Sequence, residues 1–262
     1  MKLHGAGNDF VLLSRPDPDG TTNWTDTARH LCARRTGIGA DGLVLTAVTS
    51  TDPLVLDVTC LNADGSVATM CGNALRCVAW WAAAEYGRRS VELVMDGVKH
   101  QALVEDDEVW VTAEVGETAL RRVEGVIDGR PFWYDAAHTG TEHVVAVVPD
   151  VDRVDTDRCG RMMRHHPQLA PLGTNVNFVQ VTGPDDLRIR TYERGVEAET
   201  LSCGSGAVAA VVIARLRGLV TDGQATVHNR SETPLRVRPH AERHSTFWVG
   251  GPVTQVYRGE LT

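Results

Sequence analysis

Two segments constrain this chain more than any others. CGNALRCVAWWAAAEYG, residues 71–87, and CGSGAVAAVVIARLRG, residues 203–218, share one design. Each opens on a Cys-Gly step, continues as an Ala/Val/Leu-rich helix that is apolar almost all round, and stops at a glycine suited to the C′ position. A helix without a polar face has to be buried. One such helix in each half of the chain predicts an α+β fold of two similar lobes, each a strand-rich sheet wrapped around its own helix. The boundary is placed near residue 115, giving lobes over 1–115 and 116–250.

The rest reads mainly as short strands punctuated by Gly, Asp, Asn and Pro. GNDFVLLS, GLVLTAV, LVLDVTCL, SVELVMDG, VKHQALVED and DEVWVTAEV are strands by this reading in the first half. EHVVAVVP, NVNFVQV, LRIRTYE, ATVHN, PLRVRPH and STFWVGG follow in the second. Besides the two cysteine helices, WTDTARHLCARR and DTDRCGRMMRHHP read as helical.

Composition removes several classes. With 262 residues, 42% hydrophobic and 23% charged, the chain is an ordinary globular protein. A net charge of −8 without a Lys/Arg run argues against nucleic acid as a partner. No apolar run spans a bilayer, so no membrane segment is expected. MKLHGAGNDFVLL is too short and too interrupted for a secretory signal, so a cytoplasmic protein with reduced thiols is expected.

Other motifs have ordinary explanations. GIGADG, residues 37–42, matches a dinucleotide fingerprint, but it follows a helix and opens a strand, the reverse of what that motif needs. It reads as a cap and turn, and no nucleotide cofactor is expected. His165 and His166 are adjacent and read as a solvated helix end rather than a metal pair. Cys32, Cys60, Cys77 and Cys159 read as small buried residues, and no C-x-x-C pair is present.

Cys71 and Cys203 differ because each sits where a helix begins. Unpaired N–H groups and the positive end of the helix dipole favour a thiolate there. The glycine after each cysteine lets an anionic group approach the backbone. Two equivalent thiols on two lobes suit one reaction. A thiolate removes a proton from one face of a carbon and a thiol delivers one to the other, inverting that carbon. Without an electron sink, positioned donors in a dry site must stabilise the carbanion. No lysine-centred pyridoxal motif is evident, and neither metal nor organic cofactor is implied.

Taken together, HGAGNDF, GIGADGL, NADGSVATMCGN, TNVNF, RTYERG and ETLSCGSGA, in this order, make the chain resemble the diaminopimelate epimerase family over nearly its whole length. The resemblance implies two pseudo-symmetric α+β lobes and pyridoxal-independent chemistry. GPVTQVYRGE resembles the family's closing strand, which returns residues 251–262 to the first lobe. Cys71 and Cys203 match the acid/base pair, and Gly72-Asn73 and Gly204-Ser205 match the α-carboxylate donors. Asn8, Asn62, Asn175, Glu193 and Arg194 match pocket positions, and His143 a histidine near the active site. The implied partner is a small amino-acid substrate, and a homodimer is left open.

Three departures fall near the expected pocket. The family's Gly-Asn-Pro-His appears as GTEH, with Thr141 for asparagine and Glu142 for proline. ERGVEAET carries an extra residue and an added acid, Glu197. Ala74 stands where the family usually has glycine. Losing an amide and gaining acids disfavours a second carboxylate and favours an ammonium. The substrate is therefore either diaminopimelate (LL to meso) or a diamino acid lacking the distal carboxylate, such as 2,4-diaminobutyrate, ornithine or lysine. Rival readings are a proline-racemase-like enzyme, a Cys71/Cys203 thiol switch, and a non-catalytic amino-acid-binding protein. The isomerases of phenazine pathways lack the two Cys-Gly steps.

Overall fold

Alternation writes the strands. Along Leu54–Asn62, Leu54, Leu56, Val58 and Cys60 are buried, while Asp57 and Thr59 between them are exposed. The structure, a computed structural model, describes residues 1–14, 20–116, 122–231 and 233–260. The last two residues of the closing segment, 261 and 262, lie outside the described residues.

The chain divides into two compact units, Met1–Val111 with Gly250–Thr262, and Thr112–Val249. In the first unit, the hairpin Lys2–Gly5/Asn8–Ser14 is followed by α1 (Trp24–Cys32) and the hairpin Gly42–Thr51/Leu54–Asn62. Then come α2 (Gly72–Tyr86) and the hairpin Ser90–Met95/Val98–Glu105. The pairing across each helix is parallel: Asn8–Ser14 with Gly42–Thr51, and Leu54–Asn62 with Ser90–Met95. Parallel neighbours need a crossover of this kind, and the helices supply it.

The second unit repeats this order. The hairpin Arg130–His138/Glu142–Val147 leads through α3 (Thr156–Arg164) to Asn175–Gly183/Asp186–Glu193. From there α4 (Gly204–Leu216) leads to Ala225–His228/Leu235–Pro239. The two crossovers are again parallel. The fold is thus α+β, with the same succession of hairpins and helices in each lobe. Val253–Tyr257 pairs antiparallel with Lys2–Gly5.

The two cysteine helices are buried as their composition demands. Residues 72–79 of α2 and 204–214 of α4 are buried without interruption. α1 and α3 are instead amphipathic. Ala28, Leu31 and Cys32 of α1 pack on Val11, Leu43, Leu45 and Leu61, and Met163 of α3 joins Tyr134, Phe178 and Tyr192. The turn 37–41 connects α1 to the strand from Gly42, and Lys2 Nζ donates to the Gly39 carbonyl there. His165 is exposed beyond α3, and among the described residues no metal-binding cluster occurs. No described helix is long and apolar enough to cross a membrane.

Several elements escape sequence reading. The strand Lys2–Gly5 and the hairpin Arg122–Ile127/Arg130–His138 are longest among them; Val67–Ala68 and Ala198–Thr200 are short. In Arg130–His138 aromatic, charged and small residues mix, so no clean two-residue period shows.

Candidate active site

Each cysteine is the N-cap of its helix. Cys71 (φ −146°, ψ 99°) precedes α2 and Cys203 (φ −125°, ψ 111°) precedes α4. Both are extended residues with the first helical amides just beyond them, and neither first turn holds an acid. The local design is shared, and the surroundings are not.

In the first unit, Cys71 Sγ lies 4.0 Å from Asn8 Oδ1. That oxygen also accepts from Asn73 Nδ2 at 3.1 Å, while Asn8 Nδ2 donates to Asp41 Oδ2 at 2.8 Å. The charges at either end therefore fix which way both amides point. Asp41 joins Asp9, Arg34 and Lys2 in an ion cluster, and these cations hold the Asp9 carboxyl down at about 2 against the opposing cost of burial. Asn73 Oδ1 accepts from Arg76 Nη2 at 2.7 Å. Asn62 braces the NADGS turn, donating to Ser66 Oγ at 3.0 Å. The Cys60 thiol is buried and in hydrogen-bond contact with Cys71; that contact, then burial, raises it well above the ordinary thiol range. Cys60 therefore stays a thiol and is a donor toward Cys71. Sequence reading gave it only a packing role, because a strand's alternation says where a side chain is buried, not what it meets.

In the second unit, Cys203 Sγ accepts from the Gly206 N–H at 3.4 Å and lies 3.5 Å from Ser205 Oγ. Ser205 Oγ is 3.0 Å from His143 Nε2, and His143 Nδ1 is 3.1 Å from Asn177 Nδ2. Asn177 also donates to the Val144 carbonyl and accepts from Thr191 Oγ1. An amide donating to Nδ1 places the imidazole proton on Nε2, facing Ser205. Burial, with Arg194 and His138 nearby, drives His143 down to about 3, so the ring is neutral at physiological pH. Asn177 and Thr191 are further site residues that sequence reading left out. Their one signal was position on strands already holding Asn175 and Glu193.

The remaining pocket positions form a second cluster in this unit. Asn175 is committed to backbone, donating to the Glu142 carbonyl and accepting from the Arg194 N–H. Arg194 Nη1 pairs with Glu142 Oε2 at 2.8 Å, and its Nη2 donates to Thr141 Oγ1 at 2.6 Å. Glu193 Oε2 accepts from Thr200 Oγ1. Glu197 goes elsewhere: its carboxylate meets Arg164 at 2.9 Å and lies 3.7 Å from His165. The two acids expected to act together thus part, and only Glu142 reaches Arg194. Glu197 takes a left-handed conformation, φ 59°, and its carboxylate reaches Arg164 of α3. A cavity of about 380 Å³ opens beside Glu142 and His143, lined also by His138, Leu169 and Leu172.

Two α+β lobes, each with an apolar helix capped by a cysteine, define the class: amino-acid epimerases and racemases, isomerases that work without pyridoxal phosphate. The diaminopimelate epimerase family profile matches residues 1–120 and 136–254. The chain belongs to the diaminopimelate epimerase family. It is 37% identical to a diaminopimelate epimerase of Chlorobaculum tepidum, covering 99% of this chain and 100% of that protein. It is 34% identical to the corresponding enzyme of Aquifex aeolicus, over 100% of this chain and 96% of the relative. The fold is also that of a hydroxyproline epimerase from Agrobacterium vitis (TM-score 0.69, 15% identity, 98% of this chain and 90% of that one). A phenazine biosynthesis protein of the PhzF family from Enterococcus faecalis has the same fold (TM-score 0.69, 12% identity, 100% and 97% covered).

Proposed function

We propose that this chain inverts the α-carbon of a free diamino acid with Cys71 and Cys203 as its two acid/base groups. The observation that carries this reading is that each cysteine is the N-cap residue of an apolar helix, with the first helical amides just beyond it, and that the Gly206 N–H donates to Cys203 Sγ. In the reaction one cysteine, as thiolate, takes the α-proton. The electron pair left on carbon delocalises into the α-carboxylate. The other cysteine, as thiol, protonates the opposite face, and the enzyme ends with its two protonation states exchanged. The amides of Gly72 and Asn73 and of Gly204 and Ser205 are the donors for the carboxylate as its charge grows.

The substrate supported by the family and its relatives is diaminopimelate. A second reading is favoured by one contact. Arg194, the cation matching a pocket position, is already paired with Glu142 and bonded to Thr141. Its charge is offset before any ligand arrives, which suits a diamino acid ending in an ammonium.

Incubating the reduced protein in D₂O with single enantiomers of diaminopimelate, 2,4-diaminobutyrate, ornithine, lysine and proline separates these readings. Deuterium incorporation at the α-carbon with inversion is expected for at least one diamino acid. Exchange with diaminopimelate alone removes the second reading. Exchange with none of them removes the proposed reaction. If a short diamino acid is preferred, Thr141→Asn with Glu142→Pro should shift preference toward diaminopimelate.

A further inference from the structure

The two thiols meet hydrogen bonds of opposite polarity. Behind Cys203 the direction is set at Asn177, which is fully buried. The Val144 carbonyl can only accept, so the nitrogen of the Asn177 amide faces it, at 3.0 Å, and the amide oxygen takes the Thr191 hydroxyl on its other side. The second proton of that nitrogen points to His143 Nδ1, 3.1 Å away, which is therefore the acceptor. The neutral ring then carries its proton on Nε2 and donates it to Ser205 Oγ at 3.0 Å. Oγ has one other hydrogen-bond partner among the described residues, Cys203 Sγ at 3.5 Å. The serine proton is thus aimed at the sulfur; with Cys203 as donor instead, that buried proton would be left unbonded, at a cost. Together with the Gly206 N–H at 3.4 Å, the sulfur has two donors, and donors favour the charged form of an acid.

Cys71 meets the reverse. Asn8 Nδ2 is held by the Asp41 carboxylate, so Asn8 Oδ1 is the atom that faces Cys71 Sγ. An amide oxygen only accepts, so the thiol is its donor. The Cys60 thiol is a weak donor and leaves the Cys71 proton to Asn8. The two helix starts are alike, so the side chains around them make the difference.

On the strands packed against α4, the ionisable groups near Cys203 are His138, Glu142, His143 and Glu193, with Arg194 following. Arg194 is paired with Glu142, His138 lies 4.0 Å from the same carboxylate, and Glu193 accepts from Thr200. Arg188 and Arg190 meet Asp152 and Glu199, Asp135 meets Arg217 beyond the far end of α4, and Arg236 and Arg238 alternate with the buried Leu235 and Val237.

We propose that Asn177 is a positioning residue for Cys203: by fixing the His143 tautomer it aims the Ser205 hydroxyl proton at Sγ, so that Cys203 rests as the thiolate and Cys71 as the thiol. As a role in catalysis this rests on the two-cysteine reaction proposed above; as a statement about the two thiols it does not. The test is the pH dependence of iodoacetamide alkylation at each cysteine, read by mass spectrometry in the reduced full-length protein, with the His143 tautomer read by long-range ¹H–¹⁵N correlation.

In the wild type the midpoint at Cys203 should lie at least about one pH unit below that at Cys71, a roughly tenfold difference in thiolate, with the His143 proton on Nε2. Equal midpoints, the opposite order, or a proton on Nδ1 overturn the proposal. Ser205→Ala removes the last donor and should raise the Cys203 midpoint by about one pH unit while leaving Cys71 unmoved; an unchanged Cys203 overturns the proposal. Asn177→Asp puts a carboxylate against Nδ1, which should draw the ring proton there and raise the Cys203 midpoint similarly. Added to Ser205→Ala, it should raise it no further, because both act through one hydroxyl. Additive shifts mean a charge acting through space and overturn the proposal. If Asn177→Asp does not fold, the wild-type tautomer and Ser205→Ala decide. The expected midpoints in a protein that exchanges no amino-acid α-proton would sink the proposed reaction and leave the assignment of Asn177 standing.

Discussion

The corners around Cys71 and Cys203 begin from the same sequence pattern and end in different chemistry. Around Cys71 the thiol meets Asn8 and Cys60, with a buried cation behind. Around Cys203 the thiol itself accepts the Gly206 N–H, and the group behind it is a neutral histidine reached through Ser205. One corner is charged from behind and the other is neutral and hydrogen-bonded. The helix start gives each thiol its setting, and what packs around it decides which groups it meets.

The largest effect expected is on turnover. Cys71→Ala and Cys203→Ala should each lower α-carbon inversion by roughly 10²–10⁴-fold, the usual weight of a positioned acid or base. Chiral chromatography of the product checks this. Retention of activity within tenfold by either variant would break the symmetry of roles.

Next comes a pair of matched helix positions, three residues past each cysteine. At Ala74 a methyl group fits in a fully buried place. At Gly206 a Cβ would lie 2.5 Å from Asn177 Oδ1 and 3.3 Å from Cys203 Sγ. Gly206→Ala should therefore cost about 1–3 kcal/mol by overpacking. Ala74→Gly should cost about 1 kcal/mol through helix propensity. Denaturant melts of both variants measure the difference, and equal losses would show that Asn177 yields.

The third test concerns pH. His143 has its folded pKa depressed to about 3, against an ordinary value of 6.5. Its contribution to stability is then complete above about pH 6.5 and is lost as pH falls toward 3, by up to about 1.4 kcal/mol per unit. Melting temperatures between pH 7.5 and 4.5 should fall more steeply for wild type than for His143→Gln. Parallel curves would mean the ring is not the buried neutral group described.

The smallest effect separates the two acids. Glu197→Gln loses a partly exposed pairing to Arg164, worth roughly 0.2–1 kcal/mol, and should leave substrate preference unchanged. Glu142→Gln releases Arg194 and should change the ratio of kcat/KM between diaminopimelate and shorter diamino acids. If Glu197→Gln moved that ratio instead, the division between them would be wrong.

Much of the fold was legible because its signals are local. Both apolar helices and the hairpin at Asp96-Gly97 announce themselves by composition and turn chemistry. The hairpin of Arg122–Ile127 and Arg130–His138 carries the same sign at its turn, where Asp128 and Gly129 both take positive φ (50° and 78°). It was missed because its strands lack a clean period. Each helix begins at the glycine that follows its cysteine, Gly72 and Gly204, because the cysteine is itself the N-cap residue.

By itself the sequence determined that two thiols sit at the heads of two buried helices, since an all-apolar helix has one place to go and Cys-Gly marks its start. It also marked residues 141–142 and 197 as unusual. Only the tertiary structure decided what those residues meet: Arg76 behind Cys71, His143 behind Cys203, Glu142 on Arg194, and Glu197 on Arg164. Periodicity reports which face is buried. Partners come from strands and helices far apart in sequence, so hydrogen bonds and charge compensation appear only once the chain is folded.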